Sequence, residues 1–329
     1  MFGKPFGLAV VAALYGITGC VFAANGATTT PEVFAPGVIS GPANEACPAF
    51  TPDGNTVYFD VGMMILVSHR ARGVWSKPEI ASFSGTWGDH DPTISPDGTY
   101  IVFVSNRPVT SGTDALGATV HGKFHPQSGG NLWRVDRKGA GWGEPVHLPA
   151  AVNASDRTYA PSIAVDGSLY FIHPDDAGVF HIYSSSFVSG VYQPAIKVAV
   201  GDPAASTHDP AIAPDQSFMV FNSADAKASD MGDFYISFRE DGQWSKPIDL
   251  GEAVNGTGTW SQWGAHLSPD HRTLYYTSDR TSRSTFPLTP EHAKAALAQM
   301  ESWDNGANNI WFVSLAPWLD GHSGRKNGT

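Results

Sequence analysis

The chain has 329 residues, 42% of them hydrophobic and 16% charged, with 35 glycines, 24 prolines and a formal net charge of −11 at pH 7. That length and apolar content suffice for one large core, and the wealth of turn residues points to an all-β body with many short connections. An acidic chain is repelled by nucleic acid and by anionic membrane surfaces, so neither is expected as a partner.

The N-terminus carries Lys4 and then an apolar stretch from Phe6 to Ile17, too short for a transmembrane span. Residues 1–23 therefore read as a secretory signal peptide. Two processing sites fit. Ile17-Thr18-Gly19-Cys20 has the form of a bacterial lipobox, which would leave Cys20 as a lipid anchor, and Val21-Phe22-Ala23 suits ordinary signal cleavage. Either route exports the chain to the periplasm, to the cell envelope as an anchored protein, or to the medium. Cys47 is the one other cysteine, so the mature chain is expected to lack an intramolecular disulfide. Placed just ahead of the first inner strand, it reads as a small buried residue.

Beyond the leader a phrase recurs five times: Pro48–Gly54, Pro92–Gly98, Pro161–Gly167, Pro210–Gln216 and Ala265–His271. Its Pro-Asp-Gly core presets a tight turn, with glycine in the left-handed closing position. Gln216 and His271 replace that glycine in the last two copies, where a looser turn is expected. After each copy comes a β-rich run: Thr56–Phe59, Tyr100–Phe103, Ser168–Phe171, Phe218–Phe221 and Thr273–Tyr276.

Third strands follow, as at Asn131–Val135, Phe180–Tyr183, Phe234–Ser237 and Ile310–Val313. Four units add an edge segment, Trp75–Pro78, Trp142–Pro145, Tyr192–Pro194 and Trp244–Pro247, whose proline belongs on an outermost strand. Four antiparallel strands per unit, repeated radially, describe a β-propeller. The fifth unit lacks its edge strand, and Thr30–Phe34 resembles the missing piece. An N-terminal strand closing the last blade gives five blades in a single domain over residues 30–316, with a C-terminal tail at 317–329. Long insertions interrupt the second and fifth units near 107–130 and 280–308. The latter holds a predicted helix over Glu291–Trp303, capped by Thr289 with Pro290 in the first turn.

The Ser-Pro-Asp-Gly phrase, its hydrophobic strand and the Trp-Ser-Lys-Pro edge resemble the WD40-like (PD40) repeat of bacterial TolB-type propellers. The resemblance covers residues 30–316. It implies a propeller that binds a protein, peptide or envelope polymer, with six TolB-like blades as the alternative count.

Inner strands of a propeller start on the face from which the second-to-third-strand loops emerge, so residues preceding each phrase should surround the channel mouth beside both insertions. These are Glu45, His90, Asp91, Tyr159, His208, Asp209, Gln262 and Trp263, joined at the ends of second strands by Arg107, His173 and Arg280. His-Asp-Pro occurs at both 90–92 and 208–210. Asp91 and Asp209 are candidates for acid, base or electrostatic roles in a carbohydrate-active lyase or glycosidase. His90, His208, Gln262 and His266 are candidate ligands for a divalent metal. The competing structural reading has these aspartates accept backbone N–H bonds between blades. No Gly-x-Ser-x-Gly elbow, phosphate loop or dinucleotide fingerprint occurs, so no organic cofactor is expected. The leading expectation is a binding module, with the enzyme second and a rigid spacer third.

Overall fold

A computed structural model describes residues 30–326 except 111, 113, 226–230, 259, 283 and 285. The leader with Cys20 lies outside the described residues. Five inner strands, Glu45–Phe50, Asp89–Ile94, Tyr159–Ile163, Ser206–Ile212 and Gln262–Leu267, contact one another in a closed circle. Each heads an antiparallel sheet whose order runs outward through the second, third and edge strands. The molecule is a five-bladed β-propeller.

The ring closes at blade 5. Glu32 and Val33 pair with Phe312 and Trp311 on the third strand, Asn309–Ser314, and the Phe34 N–H donates to the Ile310 carbonyl at 2.8 Å. The first described strand thus supplies the last edge, so that pairing between the two ends of the chain closes the ring. It also places Phe34 in the seam between blades 5 and 1. There its ring lies 5.5 Å from Phe50, 5.7 Å from Trp75 and 5.3 Å from Tyr275, all edge to face. Trp142 of blade 2 packs in the same way against Tyr58 and Phe83, and donates its Nε1–H to the Tyr58 hydroxyl of blade 1 at 2.8 Å.

Each repeat phrase forms the turn from inner to second strand. Gly54, Gly98 and Gly167 take φ of 66°, 72° and 83°. Gln216 and His271 adopt the same left-handed backbone at 60° and 57°, so the turns expected to loosen keep their form. For Gln216 the local cost is offset by its amide, which accepts from the Tyr170 hydroxyl and donates to Asp166 of the preceding blade. In the first two turns Thr51 and Ser95 donate their hydroxyls to Asp53 and Asp97 at 2.6 Å.

Both insertions leave the face where inner strands begin. The first contains the hairpin Ala118–Val120 with Lys123–His125, and the second contains the helix Pro290–Ser302, none of whose residues is buried. Thr289 caps that helix by accepting from the His292 N–H at 3.2 Å. The segment read as a tail begins with a helix, Ala316–Lys326, because Trp318 and Leu319 pack against the apolar core of blades 4 and 5. No helix among the described residues is long and apolar enough to cross a membrane.

Phe34→Ala empties the closing seam and is expected to cost about 3 kcal/mol, read as a lowered midpoint in chemical denaturation. The hydroxyl bonds from Thr51 and Ser95 hold Asp53 and Asp97 below the usual carboxylate range. A lowered folded-state pKa contributes stability above the unfolded value, lost as pH falls through the folded one. The Tm advantage of the wild type over Asp97→Asn should therefore shrink as pH drops from about 5 to below 3.

Candidate functional site

Every inner strand breaks register midway, and at each break one residue turns left-handed: Cys47 (φ 49°), Asp91 (48°), Ala160 (50°), Asp209 (47°) and Gly264 (66°). Such bulges re-aim a side chain and leave a backbone N–H outside the ladder. Around the channel these N–H groups find acceptors on the preceding blade. Cys47 N–H donates to Thr277 Oγ1 at 3.2 Å, Asp91 N–H to Asp60 Oδ1 at 3.3 Å, Ala160 N–H to Asp91 Oδ2 at 3.2 Å and Gly264 N–H to Asp209 Oδ2 at 2.7 Å. Asp60, Asp91 and Asp209 are thus blade-to-blade acceptors, which for Asp91 and Asp209 is the structural role the repeat suggested.

They also converge chemically. Cys47, Asp91, Asp209, Gly264 and His266 line a chamber of about 10 Å³ on the axis. The Cys47 thiol lies 3.2 Å from Asp91 Oδ1. His90 Nδ1 sits 3.3 Å from Asp91 Oδ2. Burial raises the pKa of Asp60, assisted by the charge of Asp91. Burial likewise pushes Asp209 up to about 7, with Asp91 again contributing. For Asp91 burial acts upward too, but the adjacent His90 outweighs it and holds the group below its usual range. His266 is pushed down to about 4 by burial. One carboxylate is charged by its histidine, and its two neighbours resist ionisation.

The structure separates the two His-Asp pairs. Asp91 and Asp209 share the axis, but His208 turns away, its ring 5.6 Å from Phe180, and burial pushes it down to about 4. None of the residues expected at the mouth is exposed; those ahead of each phrase lie within inner strands, which begin earlier than the phrase. For the same reason Cys47, expected ahead of the first inner strand, sits inside it. The Glu45 carboxylate accepts from Gly41 and Ala43 N–H. Arg107 pairs with Asp89 at 2.8 Å and also donates to the Phe83 carbonyl. Arg280 donates to the Ala253 carbonyl and covers Trp260 at 4.2 Å. Tyr159 reaches the Ser128 carbonyl at 3.3 Å. His173 stacks on Tyr183 at 3.6 Å. Gln262 Nε2 donates to the Gly232 carbonyl and to Asp233, away from the chamber. Trp263 pairs across the sheet with Thr277, half-buried.

Two residues of the axial cluster, Cys47 and Asp60, were not among the site candidates read from sequence. Cys47 occupies the repeat column of Asp91 and Asp209, so aligning the five phrases one residue further would have found it. Asp60 follows the second-strand apolar run, in the column of Asn222 and Thr277. A wider depression of about 310 Å³ opens at the turn face, opposite the insertions, with His266 at its floor. On the insertion face a polar hollow of about 450 Å³ is lined by Asp156, Arg157, His173, Asp175, Asp176 and Tyr183 among others.

No known family profile matches the chain, and no curated protein does. Among solved structures, an α-L-arabinofuranosidase from Lactobacillus brevis aligns with 83% of this chain and 91% of its own at 12% identity and a TM-score of 0.52. A protein assigned to TolB from Agrobacterium tumefaciens aligns over 83% and 90% at 16% identity, with a TM-score of 0.45. TolB from Acinetobacter baumannii aligns over 64% of this chain and 44% of its own, at 16% and 0.41. The likeness is one of propeller fold.

Asp209→Ala strands the buried Gly264 N–H and is expected to cost roughly 1–3 kcal/mol in denaturant unfolding at neutral pH. Asp209→Asn keeps an acceptor oxygen without the charge and should cost clearly less. Equal losses would show that the charge, not the bond to blade 5, matters.

Proposed function

We propose that this chain is an exported binding module that recognises a protein or peptide of the cell envelope through the face bearing its two insertions. The observation that carries this reading is the distribution of exposed apolar side chains. Phe124 of the first insertion is 63% exposed, and in the second Phe286 is 78%, Leu297 55% and Met300 53% exposed. Met63, in a second-to-third-strand turn of the same face, adds another at 47%. Elsewhere among the described residues the exposed large apolar side chains are single valines and isoleucines of turns and edge strands, such as Val74, Val165, Val188 and Ile196, and none is a Phe, Leu or Met. Apolar groups gathered on long loops of one face mark a surface that gains by being covered. Nearby carboxylates and Arg157 supply polar contacts for orientation.

The enzymic reading places Asp91 and Asp209 against a sugar. Both carboxylates accept backbone N–H bonds and face a chamber of about 10 Å³, which has no room for a pyranose or furanose ring. The arabinofuranosidase likeness concerns the fold alone. Export itself rests on the apolar leader.

The purified protein, immobilised and exposed to envelope extract, is expected to retain a defined protein partner. The triple variant Phe124→Ser, Phe286→Ser, Leu297→Ser should lose at least tenfold of that retention with an unchanged Tm, since these side chains are exposed. Retention of nothing, of polysaccharide only, or of the same partner by the triple variant counts against the reading.

A further inference from the structure

We propose that the cluster of Cys47, Asp60 and Asp91 beside the small axial chamber is a binding site for one divalent cation of the zinc class, with Asp209 or His266 completing the shell. One donor atom from each of Cys47, Asp60 and Asp91 lies within 4.8 Å of the other two; Cys47 and Asp60 are buried, and the Asp91 side chain is 14% exposed. Tetrahedral zinc, with bonds of about 2.3 Å to sulfur and about 2.0 Å to oxygen, sets its ligand atoms about 3.5 Å apart. The 3.2 Å between Cys47 Sγ and Asp91 Oδ1 is near that spacing already.

Independent of this cluster, two further donors point into the same chamber without full partners. Asp209 is 7% exposed, and only its Oδ2 accepts a hydrogen bond among the described residues. The His266 ring nitrogens have no hydrogen-bond partner among the described residues. Neither Asp60 nor Asp209 forms an ion pair among them either, whereas Asp91 has His90. Buried carboxylates without a counter-charge are costly, and a cation between them removes that cost for several groups at once.

Chamber size and donor type select the ligand. About 10 Å³ admits an ion or a single water and excludes organic molecules. A thiol beside carboxylates and an imidazole suits zinc, whereas calcium and magnesium take oxygen shells. On binding, the Cys47 S–H bond breaks, its proton leaves to solvent, and the thiolate sulfur bonds the metal. The ion would then join blades 1 and 2 directly, and blade 4 or 5 through the fourth ligand.

The test uses the full chain, stripped with chelator and equilibrated with zinc alone. One zinc per chain should survive removal of excess metal, read by elemental mass spectrometry, and should raise Tm. Cys47→Ser and Asp60→Asn should each weaken zinc at least tenfold in competition with a chromophoric chelator. Asp60→Asn keeps an oxygen for the Asp91 N–H, so it reports on binding even if Cys47→Ser proves unstable. Cobalt in place of zinc should show a near-ultraviolet thiolate charge-transfer band that survives in Cys20→Ser. No retained metal, unchanged affinity in Asp60→Asn, or a cobalt spectrum without that band would overturn the proposal.

Discussion

The propeller depends on what happens halfway along each inner strand. A strand that lines a narrow five-fold channel cannot keep both faces buried and stay in register with its neighbour, so each one inserts a residue and turns left-handed there. The N–H thrown off the ladder must be satisfied in a region closed to water. Side-chain oxygens from adjacent blades do so at four of the five bulges. The polar residues on the axis are first of all a consequence of this geometry.

That solution concentrates acid. Asp60, Asp91 and Asp209 reach the axis from blades 1, 2 and 4, and Cys47 joins them from blade 1. As hydrogen-bond acceptors the carboxylates stabilise the ring, and as neighbouring charges they oppose one another. His90 relieves Asp91, while Asp60 and Asp209 are left to proton or cation. The same groups thereby hold the blades together and crowd carboxylates on the axis.

Closure divides the molecule into two unlike ends. Short turns with buried Ser95 and Ser268 ring one end around an axial depression, while both insertions rise from the other with Phe124, Phe286 and Leu297 in solvent. Because blade 5 borrows its edge from Glu32–Val33, the seam between blades 5 and 1 is held by Phe34 and its aromatic neighbours. A rigid ring carrying long loops on one face presents a binding surface while leaving only two-residue sheet edges at its rim.

The repeat phrase, its apolar runs and the orphan strand at Thr30–Phe34 determined the architecture and the blade count, because turn chemistry and period-two burial are local properties that recur visibly in the sequence. The capped helix after Thr289 was legible for the same reason. Tertiary structure alone decided which polar residues meet. His90 and His208 share a tripeptide yet face Asp91 and Phe180 respectively, and Cys47 and Asp60 join the axial cluster from outside the expected set. A one-residue bulge reverses the direction of every side chain beyond it, so alternation along a strand cannot tell channel from sheet until the register shift is seen.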